Sequence, residues 1–216
     1  MTVLFVVLCI LAFLGLDWVV ASRQRHAAHS SPAPAPAAVR LPRGVFFARS
    51  HTWLNLFPSG RAWLGLDDFV ARLLDRPRLE ILAAPGSRVA RGEPLLALHE
   101  GAHRLTVRSP VDARVVAANP DLAGQAWPSR RPPFFESWIL EIEPERPADV
   151  KDLLLGDETT GWIRGEFQRL RDLFAAGAPG LSPAVLQDGG APVAGAMGQA
   201  GPEVWERFER EFLAVR

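Results

Sequence analysis

Residues 86–111 read GSRVARGEPLLALHEGAHRLTVRSPV, and the fold of the chain is decided there. Gly92-Glu93-Pro94 is turn sequence, Leu95 to Leu98 is a short apolar run, Leu105 to Arg108 alternates, and Ser109-Pro110 breaks the pattern. Runs this short, bounded by glycine and proline, read as strands rather than helices. Gly101 between them supplies the freedom a hairpin turn needs.

Working outward, the same grammar repeats. Trp53 to Phe57, then Pro58-Ser59-Gly60-Arg61, then Ala62 to Leu66 predicts a second hairpin. Asp67 or Asp68 is placed to cap a short helix through Leu74, with Phe69, Val70, Leu73 and Leu74 on its apolar side. Arg78 to Ala83, Ala113 to Ala117 and Ser137 to Ile142 are further strands, the last with Ile139 facing away from Trp138, Leu140 and Ile142. Ile163, Phe167, Leu170 and Phe174 recur at helical spacing, and Gly177 is a C-cap. The expectation is a β-rich α+β domain over residues 44–177.

The flanks read differently. Residues 1–21 are almost wholly apolar with Asp17 the one charge, and twenty helical residues rise about 30 Å, the thickness of a bilayer core. No basic residue precedes the run, which argues against a cleaved signal, and Arg23, Arg25, Arg40, Arg43 and Arg49 follow it. The expectation is one transmembrane anchor in the cell membrane, with a cytoplasmic domain. Residues 22–43 are a Pro/Ala-rich linker, with Ser31-Pro32-Ala33-Pro34-Ala35-Pro36 as a semi-rigid spacer. Residues 178–201 read as a flexible linker. Residues 202–216 read as an amphipathic helix with Trp205, Phe208 and Phe212 on one stripe. That stripe can pack on its own domain or dock into a partner protein.

Composition excludes more than it identifies. Among 216 residues, 24 basic and 24 acidic side chains cancel, so nothing favours nucleic acid as a partner. Lys151 is the only lysine and Cys9 the only cysteine, which leaves one amine for chemistry and no internal disulfide. No P-loop, dinucleotide-binding glycine pattern or nucleophile elbow is present. His51 beside Trp53 reads as a structural histidine.

Several short motifs in order carry a family resemblance. His51-Thr52-Trp53 resembles the His-Glu-Trp of the glycine cleavage system H protein, and Gly65-Leu66-Asp67-Asp68-Phe69 its Gly-Ile-Thr-Asp-Tyr. Gly86, Val89 and Gly92-Glu93 match the approach to the lipoyl hairpin, and Ser109-Pro110-Val111 the exit from it. Val115-Val116-Ala117-Ala118-Asn119 and Ser137-Trp138-Ile139 are similar to the family's closing strands. The resemblance implies a barrel-sandwich fold of the lipoyl and biotinyl type. In that fold a lysine at a hairpin tip bears lipoate and carries the methylamine group left by glycine decarboxylation. Counting back from Ser109-Pro110-Val111, the lysine position holds Ala102, and the family's glutamate three residues earlier is His99. A methyl group forms no amide with lipoate, so the resemblance here implies no bound cofactor and no catalytic residue.

His99-Glu100-Gly101-Ala102-His103 also fits H-E-x-x-H, the zinc peptidase pattern. That chemistry needs a helix to put both imidazoles on one face, and a hairpin does not provide one. The functional expectation is a membrane-anchored, non-lipoylated, non-catalytic scaffold or adaptor with an unidentified protein partner. The alternatives are a zinc-dependent hydrolase on His99 and His103, or a component of a glycine-cleavage-like system that has lost lipoate carriage.

Overall fold

The computed structural model describes residues 39–122, 134–177 and 194–215. All of these lie in one unit, Ala38–Arg216.

Turn chemistry lays out the strands. After β1 (Phe46–Phe47), the chain turns through Ala48 to His51 into β2 (Thr52–Leu56), and the Pro58–Gly60 turn, with Gly60 at φ +84°, returns it as β3 (Ala62–Leu66). Strand β4 (Arg78–Ile81), β5 (Arg88–Val89), β6 (Pro94–Glu100), β7 (His103–Arg108), β8 (Ala113–Ala118) and β9 (Trp138–Pro144) follow. They make a six-stranded antiparallel sheet ordered β1-β2-β3-β9-β8-β5 and a three-stranded sheet ordered β4-β6-β7. One apolar cluster joins them, from Trp53, Leu64 and Ile142 of the first sheet to Leu79, Leu96 and Leu105 of the second. This is a β-rich, barrel-like α+β fold with flanking helices.

One contact fixes the register of the core. The Trp53 indole lies across Gly65, where a Cβ atom would meet it at 2.4 Å, and its Nε1–H donates to the Leu66 carbonyl at 2.8 Å. Only glycine leaves that space, and a bulge at Leu64/Gly65 accompanies it. Another bulge, in β8, sets the pairing of that strand with β9. Both Ile139 and Leu140 are buried, so β9 does not simply alternate. Trp63 and Trp138 stack with ring centroids 5.4 Å apart and stay half-buried.

The helices close the ends. Helix α1 (Asp68–Leu73) is capped by Asp67, whose Oδ1 accepts from the Val70 N–H at 3.1 Å. Helix α2 (Asp157–Gly177) buries Trp162, Ile163, Leu170, Leu173 and Phe174, and leaves Phe167 half-buried. Residues 194–201, expected as flexible linker, instead hold a 3₁₀ turn (Ala196–Gln199) with Met197 fully buried. Helix α3 (Pro202–Phe208) follows, and a π turn (Glu209–Leu213) ends the described chain's helical structure.

The expectation of a transmembrane helix is corrected, and with it a single-pass location in the cell membrane and the membrane as a partner. Among the described residues no helix is long and apolar enough to cross a membrane. Helix α2 has 21 residues, but charges recur along it from Asp157 to Asp172, as its half-buried position requires. The stretch on which the expectation rested, residues 1–21, lies outside the described residues.

Candidate functional site

The β6–β7 hairpin is closed by two residues. Glu100 pairs with His103, leaving Gly101 and Ala102 at the tip, both exposed. Gly101 takes φ +59° and Ala102 does not take a positive φ, the pattern of a II′ turn with glycine first. The Ala102 methyl therefore stands on a tight, solvent-facing tip, at the position where the resemblance puts the lipoyl lysine. Lys151 lies elsewhere, exposed on a 3₁₀ turn (Pro147–Asp152) after β9. The residues at the tip do not fit lipoate, since no amine is there to form the amide.

The zinc alternative is corrected on geometry. Successive strand residues face opposite ways, so His99 and Glu100 diverge. His99 Nε2 meets Glu80 Oε2 of β4 at 2.6 Å. Glu100 turns to the other flank, where its Oε2 accepts the Asp75 backbone N–H at 2.9 Å. Burial raises the Glu100 carboxyl above its ordinary pKa, against the opposing effect of that backbone donor. His103 stacks face to face on Trp205 of α3, with ring centroids 4.6 Å apart. The three side chains share no common point, and among the described residues no group of three or more potential ligands could hold a metal ion.

A different histidine is the electrostatic centre. His51 is fully buried at the β1–β2 turn with φ +63°, a left-handed backbone that costs a non-glycine residue about 1–2 kcal/mol. The hairpin places it beside Asp67, because Thr52 pairs with Leu66 one step inward. Its Nδ1–H donates to Asp67 Oδ2 at 2.7 Å, and its Nε2 lies 3.6 Å from Glu166 Oε2 on α2. Phe69 stacks on the ring at 4.5 Å, with Trp162 at 5.0 Å and Phe212 at 6.0 Å. Burial alone would lower the pKa of this imidazole, but the two carboxylates, Asp67 foremost, outweigh it and raise the value to about 9. Glu166 is likewise held low against its burial, by His51 and then by Arg169, which donates to both carboxylate oxygens at 2.7 and 2.8 Å. Arg169 continues the chain of charges, donating to the Glu211 carbonyl at 2.6 Å with its guanidinium 4.6 Å over the Phe212 ring. This network ties the β domain to α2 and to the C-terminal π turn.

Sequence reasoning identifies His51 as structural but misses its partners. Asp67 is legible once the hairpin register is drawn. Glu166 and Arg169 are not, since nothing local links them to the β1–β2 turn. Trp205, Phe208 and Phe212, the stripe offered to a partner, are 3%, 0% and 0% exposed and lie in the chain's own core. The expected protein partner accordingly finds no support on that stripe. A separate cavity of about 240 Å³ lies between Arg49, Arg91, Asp112, Arg146, Asp149 and Asp152. Its charges balance, and Arg146 already pairs with Asp112 and Asp149 at 3.2 and 3.1 Å.

Sequence comparison with known proteins finds relatives of one family. The family model described as glycine cleavage H-protein matches residues 45–164, more than half of the chain. The glycine cleavage system H protein of Xylella fastidiosa (strain M12) is 27% identical over 120 residues, covering 56% of this chain and 92% of that protein. That of Opitutus terrae is 28% identical over 114 residues, covering 53% and 90%, and that of Neisseria gonorrhoeae 27% over 123 residues, covering 57% and 92%. A crystal structure of the H protein from Mycobacterium marinum aligns at 19% identity with a TM-score of 0.48, over 56% of this chain and 97% of that one. The chain belongs to the glycine cleavage H-protein family, as a non-enzymatic member with alanine at the position where the resemblance puts the carrier lysine.

Proposed function

We propose that this chain is a non-lipoylated H-protein-like domain that acts as a scaffold rather than as a carrier of a covalently bound group. One observation carries the reading. The hairpin of the carrier fold is retained down to its two-residue turn, yet the exposed tip side chain is the methyl of Ala102. A swinging carrier needs an amine at that point, and no other tip residue supplies one. What the domain keeps is a rigid β-rich body whose buried His51–Asp67–Glu166 network locks the helices to the sheets. A preorganised body of this kind loses little entropy on binding, which suits a scaffold.

The test uses the wild-type chain. Expressed with lipoate ligase and free lipoate, it should show no lipoyl mass increment, while the Xylella fastidiosa H protein in the same cells is modified. In a reconstituted glycine-cleavage reaction it should not replace the H protein, and carbon dioxide release should stay at background. Modification at Lys151, or activity above background, would overturn the reading.

A further inference from the structure

The family match ends at Arg164, and the bacterial H proteins are covered almost whole by little more than half of this chain. Residues 194–213 are therefore an addition to those relatives, and they pack on the domain. The Gly195 N–H donates to the Arg72 carbonyl at 2.9 Å, at the end of α1. Gly198 then lies against the Glu100 carboxylate, and Trp205 lies flat on His103. Phe208 and Phe212 complete the seat with no exposed surface, and Arg169 holds the far end through the Glu211 carbonyl. This arm thus crosses one flank of the β6–β7 hairpin, the Glu100 and His103 side, while Gly101 and Ala102 stay exposed beyond it.

We infer that the C-terminal arm is a latch that closes the carrier hairpin to enzymes working at its tip. The inference builds on the reading of β6–β7 as a carrier hairpin without its lysine. An enzyme that modifies a tip side chain must seat the hairpin in its own site, and an arm lying on one flank competes with that seating. Here the tip is reachable but one flank lies under Trp205. The loss of carriage is then double, with the acceptor replaced and the docking face covered. The Trp205 indole N–H is buried without a hydrogen-bond acceptor, as are Trp162 Nε1 and His51 Nε2 elsewhere in the domain, and the arm ends in a π turn rather than a regular helix. Such π turns concentrate at functional positions.

The basic rim of the hairpin, with His99, His103 and Arg104, is the competing cause of resistance, and the two are separable. Full-length Ala102→Lys is expressed with lipoate ligase and free lipoate beside Ala102→Lys/Trp205→Ala. The single variant should be modified slowly and the double variant roughly tenfold faster or more, because only the arm-open fraction is competent. Equal modification of the two overturns the latch. So does no modification of either, with both folded by circular dichroism, since the block then lies in the rim itself. Because the arm carries part of the core, the comparison is repeated on Ala102→Lys with a protease site placed between residues 178 and 193. Cutting that site leaves the arm seated but free to depart. Faster lipoylation after the cut supports the latch, and equal rates once gel filtration shows that the cut arm has left overturn it whatever the double variant does. Lipoylation of the wild-type chain at Lys151 would count against the scaffold reading alone and leave this comparison intact.

Discussion

His99, Glu100 and His103 lie within five residues of one another and share no partner, whereas His51, Asp67 and Glu166 come from three separate elements and meet at one imidazole. The first set sits on a strand pair, where alternation sends neighbours to opposite faces. Each of its members finds a neutral or solvent-screened use: an exposed pair with Glu80, a backbone N–H, an aromatic stack. The second set is enclosed, with aromatic rings around it, so every charge must be matched within the protein. The difference teaches that closeness in sequence is no measure of shared chemistry on a strand. Burial makes groups depend on each other, and burial is a property of the assembled layers.

The sharpest way to break this comparison is to remove the buried imidazole. His51→Ala leaves Asp67 and Glu166 as buried carboxylates with one cation fewer between them, and should cost about 3–5 kcal/mol in urea unfolding. Relief of the left-handed backbone is not gained, because alanine is strained there too. A loss under about 1 kcal/mol would mean the network is incidental to stability.

The same network should make the protein sensitive to alkali. His51 binds its proton with a pKa of about 9 when folded against 6.5 as its ordinary value. A raised folded value stabilises fully below the unfolded pKa and loses that contribution as the pH rises through the folded one. Stability should therefore fall between pH 6.5 and 9 by about 3–4 kcal/mol, since each pH unit between the two values is worth about 1.4 kcal/mol. His51→Gln should flatten that part of the profile. An unchanged slope in the variant would assign the alkaline loss to other groups.

On the hairpin the expected effects are smaller. His103→Ala removes the stack on Trp205 and should cost about 0.5–1.5 kcal/mol, read as a shift in the urea midpoint. His99→Ala breaks only an exposed pair and should leave that midpoint unmoved. Purified protein should retain far less than one zinc per chain after dialysis, with or without His99. Stoichiometric zinc that disappears in His99→Ala would reverse the contrast between the two sets.

Strand and turn positions are legible in the sequence because they rest on local causes. Pro58–Gly60, Gly101 and Ser109-Pro110 permit or forbid conformations whatever surrounds them, and the apolar runs between them are too short for anything but strands. The N-cap at Asp67 and the helix through Gly177 follow from the same local rules. Residues 194–201 read as linker because Ala, Gly and Pro carry no periodic signal, and Met197 is buried by what lies beneath it. The stripe of Trp205, Phe208 and Phe212 announces a buried face without saying whose.

The sequence alone determined a β-rich domain with a hairpin around Gly101 and the absence of an amine at Ala102, since each depends on residue type at one position or on spacing along a strand. That the fold is of the carrier type came from the family resemblance. The tertiary structure alone decided that His51 is a buried cation between Asp67 and Glu166, that H-E-x-x-H is no metal site, and that the C-terminal arm covers one flank of the hairpin. Those facts depend on distances between elements far apart in the chain, and such distances are set by how the layers pack around one apolar core rather than by any local preference.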